Sequence, residues 1–210
     1  MGQKINPIGF RIGISKDWDS KWFADKKNYP KYTMEDFKVR EALEKRFETA
    51  GVRNVIIERS VNAIHVTVHV SKPGIVIGRG GVIVEAAKKE LETLTGSKVT
   101  ITAEEVKTPE IEAQLVADYI SRQMKRRKPP RWVVNSAITS AMDKGALGIK
   151  VKLSGLLGGS NSIARTETHA RGPVPAQTLR ANIDYAQVHC KQLFGIIGIK
   201  VWIYKGEVDL

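Results

Sequence analysis

A single cysteine, Cys190, leaves no intramolecular disulfide to form, so the fold must rest on packing, and the chain suits a reducing compartment. No apolar run reaches the ~18 residues of a membrane span, and the first residues carry no apolar signal-peptide core. Metal ligands are sparse. His65 and His69 share one strand face but stand ~13 Å apart, and His189-Cys190 has no second pair at metal-site spacing. No serine, histidine and aspartate fall into a nucleophile–base arrangement. The acids Glu104, Glu105 and Glu110 read as a solvated surface. A phosphate-binding loop of the GKS/T kind is excluded, because Arg79 follows Gly78 with no hydroxyl after it. A dinucleotide fingerprint would need glycine where Ile83 stands. The expectation is therefore a protein that is not an enzyme, with no cofactor, no metal, no small-molecule substrate and no membrane partner.

Acidic residues are also in short supply. Across 210 residues, 34 Lys and Arg face 22 Asp and Glu, a net +12, while a 42% hydrophobic content excludes wholesale disorder. The excess is segregated. Residues 1–31 carry +4, residues 32–121 carry −2, and residues 122–210 carry +10. A near-neutral module thus lies between a basic arm and a basic C-terminal half, and an anionic partner is the expected reason. A membrane surface would need a basic helix with bulky apolar residues opposite, and none is present.

The chain divides into three parts. Residues 1–34 read as an irregular arm, broken by Asn6-Pro7, Gly9, Gly13 and Tyr29-Pro30, with Trp18, Trp22 and Phe23 placed to dock on something. Residues 35–107 read as a compact α+β domain. Thr33 and Asp36 resemble a capping box ahead of a helix that carries Phe37, Leu43, Phe47 and Ala50. Strands follow at Val52–Arg59 and around Ile64, Val66, Val68 and Val70, then a glycine turn at 78–81, a helix to about Leu94, and a strand at Val99, Ile101 and Ala103. Residues 108–210 read as a second α+β domain of two helices on a mostly antiparallel sheet. Its first helix runs from Thr108-Pro109 to about Arg127, its second from Arg131 to Lys144, and its strands fall at 149–154, 162–168, 180–188 and 196–204.

Three motifs bear on function. The turn Gly78-Arg79-Gly80-Gly81, between an apolar run and an amphipathic helix, has the setting of the KH-domain loop that clamps a nucleic-acid backbone. Its glycines let main chain approach phosphates, and Arg79 adds charge; a plain strand-to-helix turn is the competing reading. Arg122, Lys125, Arg126, Arg127, Lys128 and Arg131 place six cations within ten positions with no acid among them, astride Pro129-Pro130. One or two would complement a helix C-terminus, but six repel one another unless an anion is near. Such a corner suits a phosphate backbone. Trp132 beside it is open to either base stacking or a core role. Last comes the tract Gly155 to Ser160 followed by Arg165, Arg171 and Arg180, read as a hairpin near a partner or as an ordinary hairpin.

Over nearly its whole length the sequence resembles the bacterial-type family of the third small-subunit ribosomal protein. The resemblance is carried by residues 1–13 (MGQKINPIGFRIG), by 73–81 (PGIVIGRGG), by 163–167 (IARTE) with 172–175 (GPVP) and 178–185 (TLRANIDY), and by 201–207 (VWIYKGE). It implies a type II KH domain followed by an α+β C-terminal domain, located in the head of the small subunit. The implied partners are small-subunit rRNA, mRNA and neighbouring ribosomal proteins of the head. Lys4, Arg11, Arg165, Arg171 and Arg180 would hold rRNA. Lys125, Arg126, Arg127, Lys128 and Arg131 would line the channel by which mRNA enters, gripping mRNA and assisting its unwinding. Two positions usually basic in that family are Trp132 and Asn135 here, which lowers the charge available for unwinding. The implied location is cytoplasmic and ribosome-bound, bacterial rather than plastid because no transit segment is evident. A free KH-type RNA chaperone or regulator is the alternative, though it has no use for the C-terminal signature.

Overall fold

The computed structural model describes residues 4–60, 63–157, 163–193 and 195–208. Contacts divide the chain into two units, one of Trp18–Lys107 and the other of Met1–Asp17 with Thr108–Leu210. The stretch 1–34 is therefore not one arm: its two halves belong to different units.

In the unit Trp18–Lys107, a four-stranded sheet has the order β1 (Ser20–Lys21), β2 (Val52–Arg59), β3 (Ala63–Val70), β4 (Lys98–Glu105). β2 and β3 are antiparallel, whereas β1 joins β2 and β4 joins β3 in parallel. Alternation dictates the two faces of the sheet. Ile64, Val66, Val68 and Val70 are buried, leaving His65, Thr67 and His69 on the other face, where His69 Nδ1 lies 3.4 Å from Glu104 Oε2. Helix α2 (Tyr29–Arg46) and helix α4 (Val82–Thr95) cover the apolar face with Val39, Leu43, Ala87 and Leu91.

The first helix of this unit differs from the sequence expectation. It starts at Tyr29, with Pro30 in its first turn, because proline's fixed φ suits that position. Thr33 therefore caps nothing, and its hydroxyl donates to Tyr29 O at 2.9 Å. Phe37 is exposed, and Asp36 takes the buried place instead. Asp36 accepts from Ser20 Oγ (3.1 Å), Trp22 Nε1 (2.7 Å), Arg59 Nε (2.8 Å) and Arg59 Nη2 (2.5 Å). Of the three aromatics expected to dock, Trp22 does so, against Tyr29 and Tyr32, while Trp18 and Phe23 are exposed. Asp36→Asn removes the charge opposite Arg59, which keeps Glu35 at 2.8 Å as its other partner. The expected loss is about 2 kcal/mol of unit stability in a urea titration, below the full cost of an orphaned buried ion.

The other unit has the sheet order β6 (Arg165–Arg171), β5 (Gly148–Gly155), β8 (Gly195–Glu207), β7 (Ala181–Gln192), and every pairing is antiparallel. One face receives helix α5 (Ala113–Lys125) and helix α6 (Pro130–Asp143), over Ile149, Val151, Leu153, Ile197, Ile199, Val201 and Ile203. The ends of α5 are shorter than the periodicity suggests, since Pro109–Ile111 is a 3-10 turn. The strand expected at 162–168 is β6; residue 162 and the tract 158–161 lie outside the described residues. Two glycines admit close backbone crossing. A Cβ on Gly148 would stand 1.9 Å from Pro173 O, and Gly172 has φ +76° with Leu147 O at 2.4 Å from its would-be Cβ.

The opposite face is capped at one end by Val174 and Ala176 packed on Ala181, Ile183 and Tyr204. There the short helix α1 (Pro7–Arg11) contributes a correction. Arg11, expected to face RNA, has 0% exposure. Its Nε donates to Ala181 O (2.8 Å), its Nη1 to Pro7 O (3.1 Å), and its Nη2 to Ala176 O (3.1 Å) and Thr178 O (2.7 Å). Burial holds its pKa below the ordinary arginine value, and the carbonyl set stabilises the charge in place of water. Arg11 staples the N-terminal segment to the loop before β7. It does not present charge to a ligand.

Candidate nucleic-acid interface

The loop of the first unit is built by a one-turn helix α3 (Pro73–Ile77), which sequence patterning does not reveal, and by the start of α4. Gly78, Gly80 and Gly81 all have positive φ, at +71°, +63° and +81°. A Cβ on Gly78 would come within 2.6 Å of Ile83, whereas Gly80 and Gly81 open onto free space. Arg79 is exposed beside them, with Ile75, Ile77, Val82 and Ile83 also presenting apolar surface. Bare main chain, one cation and apolar flanks together form a surface able to hold a sugar-phosphate backbone.

The basic corner is rigid because two helices meet there. The last turn of α5 closes with Arg126 N on Gln123 O (3.1 Å) and Arg127 N on Met124 O (2.9 Å). Arg127 then reverses the chain at φ 59°, an unfavourable conformation for a residue with a Cβ, and Pro129-Pro130 starts α6. Arg122, Lys125, Arg126, Arg127 and Arg131 are exposed, and Lys128 is half-buried. Trp132 is 53% exposed, outside the core, with Lys128 Nζ 4.9 Å from its ring centroid.

Some of the predicted residues gather here and others do not. Arg165 reaches the corner, sharing a cleft of about 230 Å³ with Arg131, Pro130 and Ile163. Arg131 Nε lies 3.6 Å from Glu167 Oε2. A larger groove of about 630 Å³ runs beside Lys125, Arg127 and Lys128 over Met124, Leu157 and Leu193, and adds Lys191 from the end of β7. Lys191 is absent from the sequence expectation because it is a lone cation in a strand. Arg171 stands at the far end of β6, and Arg180 is exposed but paired with Glu207 at 2.9 Å. Lys4 is exposed at the start of the N-terminal segment. Among the described residues, no group of three or more His, Cys, Asp or Glu gathers as metal ligands would, and no helix is long and apolar enough to cross a membrane. Cys190 is buried, its thiol directed at Ser121 O.

A mixed sheet under two helices, a glycine loop armed with an arginine, and a separate cationic α+β unit define a KH-domain protein with a C-terminal partner domain. Comparison with protein families agrees: residues 38–111 match the KH domain, and residues 120–203 match "Ribosomal protein S3, C-terminal domain". A protein of Desulforamulus reducens named small ribosomal subunit protein uS3 is 50% identical over 208 residues, covering 99% of this chain and 94% of that protein. Proteins of the same name from Carboxydothermus hydrogenoformans and Pelagibacter ubique are each 49% identical over 99% of this chain, covering 93% and 92% of their own lengths. The chain belongs to the ribosomal protein S3 family.

Proposed function

We propose that the protein is a non-enzymatic constituent of the small ribosomal subunit, held in the subunit head by rRNA and neighbouring proteins, and that its basic corner grips mRNA where it enters. The observation that carries the reading is the corner itself: exposed cations gathered at the junction of two packed helices, whose mutual repulsion a polyanion would relieve. Lys125, Arg126, Arg127, Lys128 and Arg131 act on phosphates electrostatically, without bond making. Lys4, Arg165, Arg171 and Arg180 serve as rRNA anchors; Arg11 does not join them. The loop Gly78–Gly81, with the single cation Arg79, adds a weaker RNA contact.

Sedimentation tests the assignment. At native expression level and moderate salt the full chain is expected to travel with small subunits, and a chain that stays at the top of the gradient refutes it. For the corner, alanine at Lys125, Arg126, Arg127 and Arg131 together is expected to slow translation through mRNA hairpins, and unchanged read-through would refute that role. Arg127→Gly separates charge from structure. It relieves roughly 1 kcal/mol of left-handed strain, so the protein melts slightly higher. The slope of log affinity for RNA against log salt is expected to fall by about one.

A further inference from the structure

The side of the C-terminal sheet turned away from α5 and α6 carries an arrangement that the corner and the loop do not explain. Alternation puts Lys150, Lys152 and Ser154 of β5, Lys200 and Trp202 of β8, and Tyr185, Gln187 and His189 of β7 on that side. Register then lines them up in rows. Trp202 lies directly across from both Lys150 and Tyr185, and Lys200 directly across from both Lys152 and Gln187. The Trp202 and Tyr185 rings are 5.3 Å apart, and Lys150 Nζ is 5.7 Å from the Trp202 centroid.

Two features of this surface point to a ligand. Lys152 and Lys200 face each other on adjacent strands, a pairing that destabilises a sheet unless an anion lies over it. Among the described residues of β5, β6, Tyr185–Gln192 and Gly195–Tyr204, no position on this side is Asp or Glu, and none of Lys150, Lys152 and Lys200 is in an ion pair. The second feature is concavity. Residues Lys4 to Pro7 of the N-terminal segment rise beside the sheet, and a pocket of about 290 Å³ lies between Lys4 and Asn6 on one side and Tyr185, Trp202, Lys150 and Lys200 on the other.

We infer that this face is a second RNA surface, one that stacks unpaired bases on Trp202 and Tyr185 while Lys4, Lys150, Lys152 and Lys200 hold the phosphates. An acidic protein segment would satisfy the lysines. The adjacent aromatic pair, flanked by the amide of Gln187 and the ring of His189, favours flat bases that also offer hydrogen-bonding edges. The inference rests on the chain being an RNA-binding member of its family, and it differs from the corner in what it reads: bases in addition to charge.

The test uses the full chain with a short fluorescein-labelled single-stranded uridine RNA and an abasic strand of equal length. Wild type is expected to prefer the base-bearing strand by about tenfold, the worth of one stacked base. Tyr185→Leu removes most of that preference. Lys152→Gln with Lys200→Gln weakens both strands alike. Ultraviolet cross-links are expected in β7 and β8. The two lysine changes lie outside the core, so they decide the matter even where Tyr185→Leu does not fold. Equal binding of both strands, unaltered affinity in the lysine double variant, or cross-links confined to residues 122–132 would overturn the inference; these are the results expected if a protein occupies the face. A chain that sediments with small subunits but gives those results loses only this inference. One that stacks bases on this face yet never sediments loses the ribosomal assignment instead.

Discussion

Arg11→Ala is expected to destabilise the C-terminal unit by about 4 kcal/mol, a fall of roughly 15 °C in its melting temperature. The side chain is fully buried and satisfies four carbonyls, those of Pro7, Ala176, Thr178 and Ala181. Truncation removes the donors, leaves acceptors unpaired at a site with little water, and opens a cavity the size of the longest side chain in the unit. Arg11→Lys recovers little, since a single ammonium cannot reach the positions served by a planar fork of three nitrogens. Differential scanning calorimetry against Lys4→Ala decides the point. Lys4 is exposed, and its loss is expected to leave the melting temperature unchanged. Equal behaviour of the two variants would show that Arg11 is only one more surface cation.

Gly148→Ala is expected to cost more than 4 kcal/mol, or to prevent the C-terminal unit from folding at all. The added methyl carbon would sit 1.9 Å from Pro173 O and 2.8 Å from Pro173 C. Neither is the free end of a side chain, so backbone must move. β5 lies in mid-sheet, hydrogen-bonded on both edges, and cannot yield. Gly9→Ala is the matching control. That glycine has no atom within 4 Å of its would-be Cβ and sits in α1, where alanine is favoured by roughly 0.5–1 kcal/mol. Circular dichroism melts of the two variants are expected to move in opposite directions.

The strands and the two C-terminal helices were legible because burial on one side writes a period of two or 3.6 into the residues themselves, as at Ile64–Val70 and Ile149–Leu153. Local signals misled where a tertiary contact outweighed them. Thr33 and Asp36 have the spacing of a cap, but Asp36 is committed to Arg59, 23 residues away. Arg11 reads as one more basic residue in a basic segment, and its role depends on carbonyls 165 to 170 positions on. Within the candidate interface, the corner could be seen because its cations are contiguous in sequence. The aromatic face could not. Tyr185 and Trp202 are 17 positions apart in numbering, and only strand register makes them neighbours.

The staple formed by Arg11 also sets a clock. The segment holding it is made well before its partners Ala176, Thr178 and Ala181, which follow 165 to 170 positions later. At ~5–20 residues per second, the intervening 170 positions take roughly 10–30 s. During that interval Trp18–Lys107 has all its own parts and can fold, while the N-terminus waits as a loose cationic thread in a cell crowded with nucleic acid. Closure of the C-terminal unit thus waits on the chain reaching residues 176–181, and a nascent chain stalled before residue 176 is expected to carry that thread exposed to proteases and to RNA.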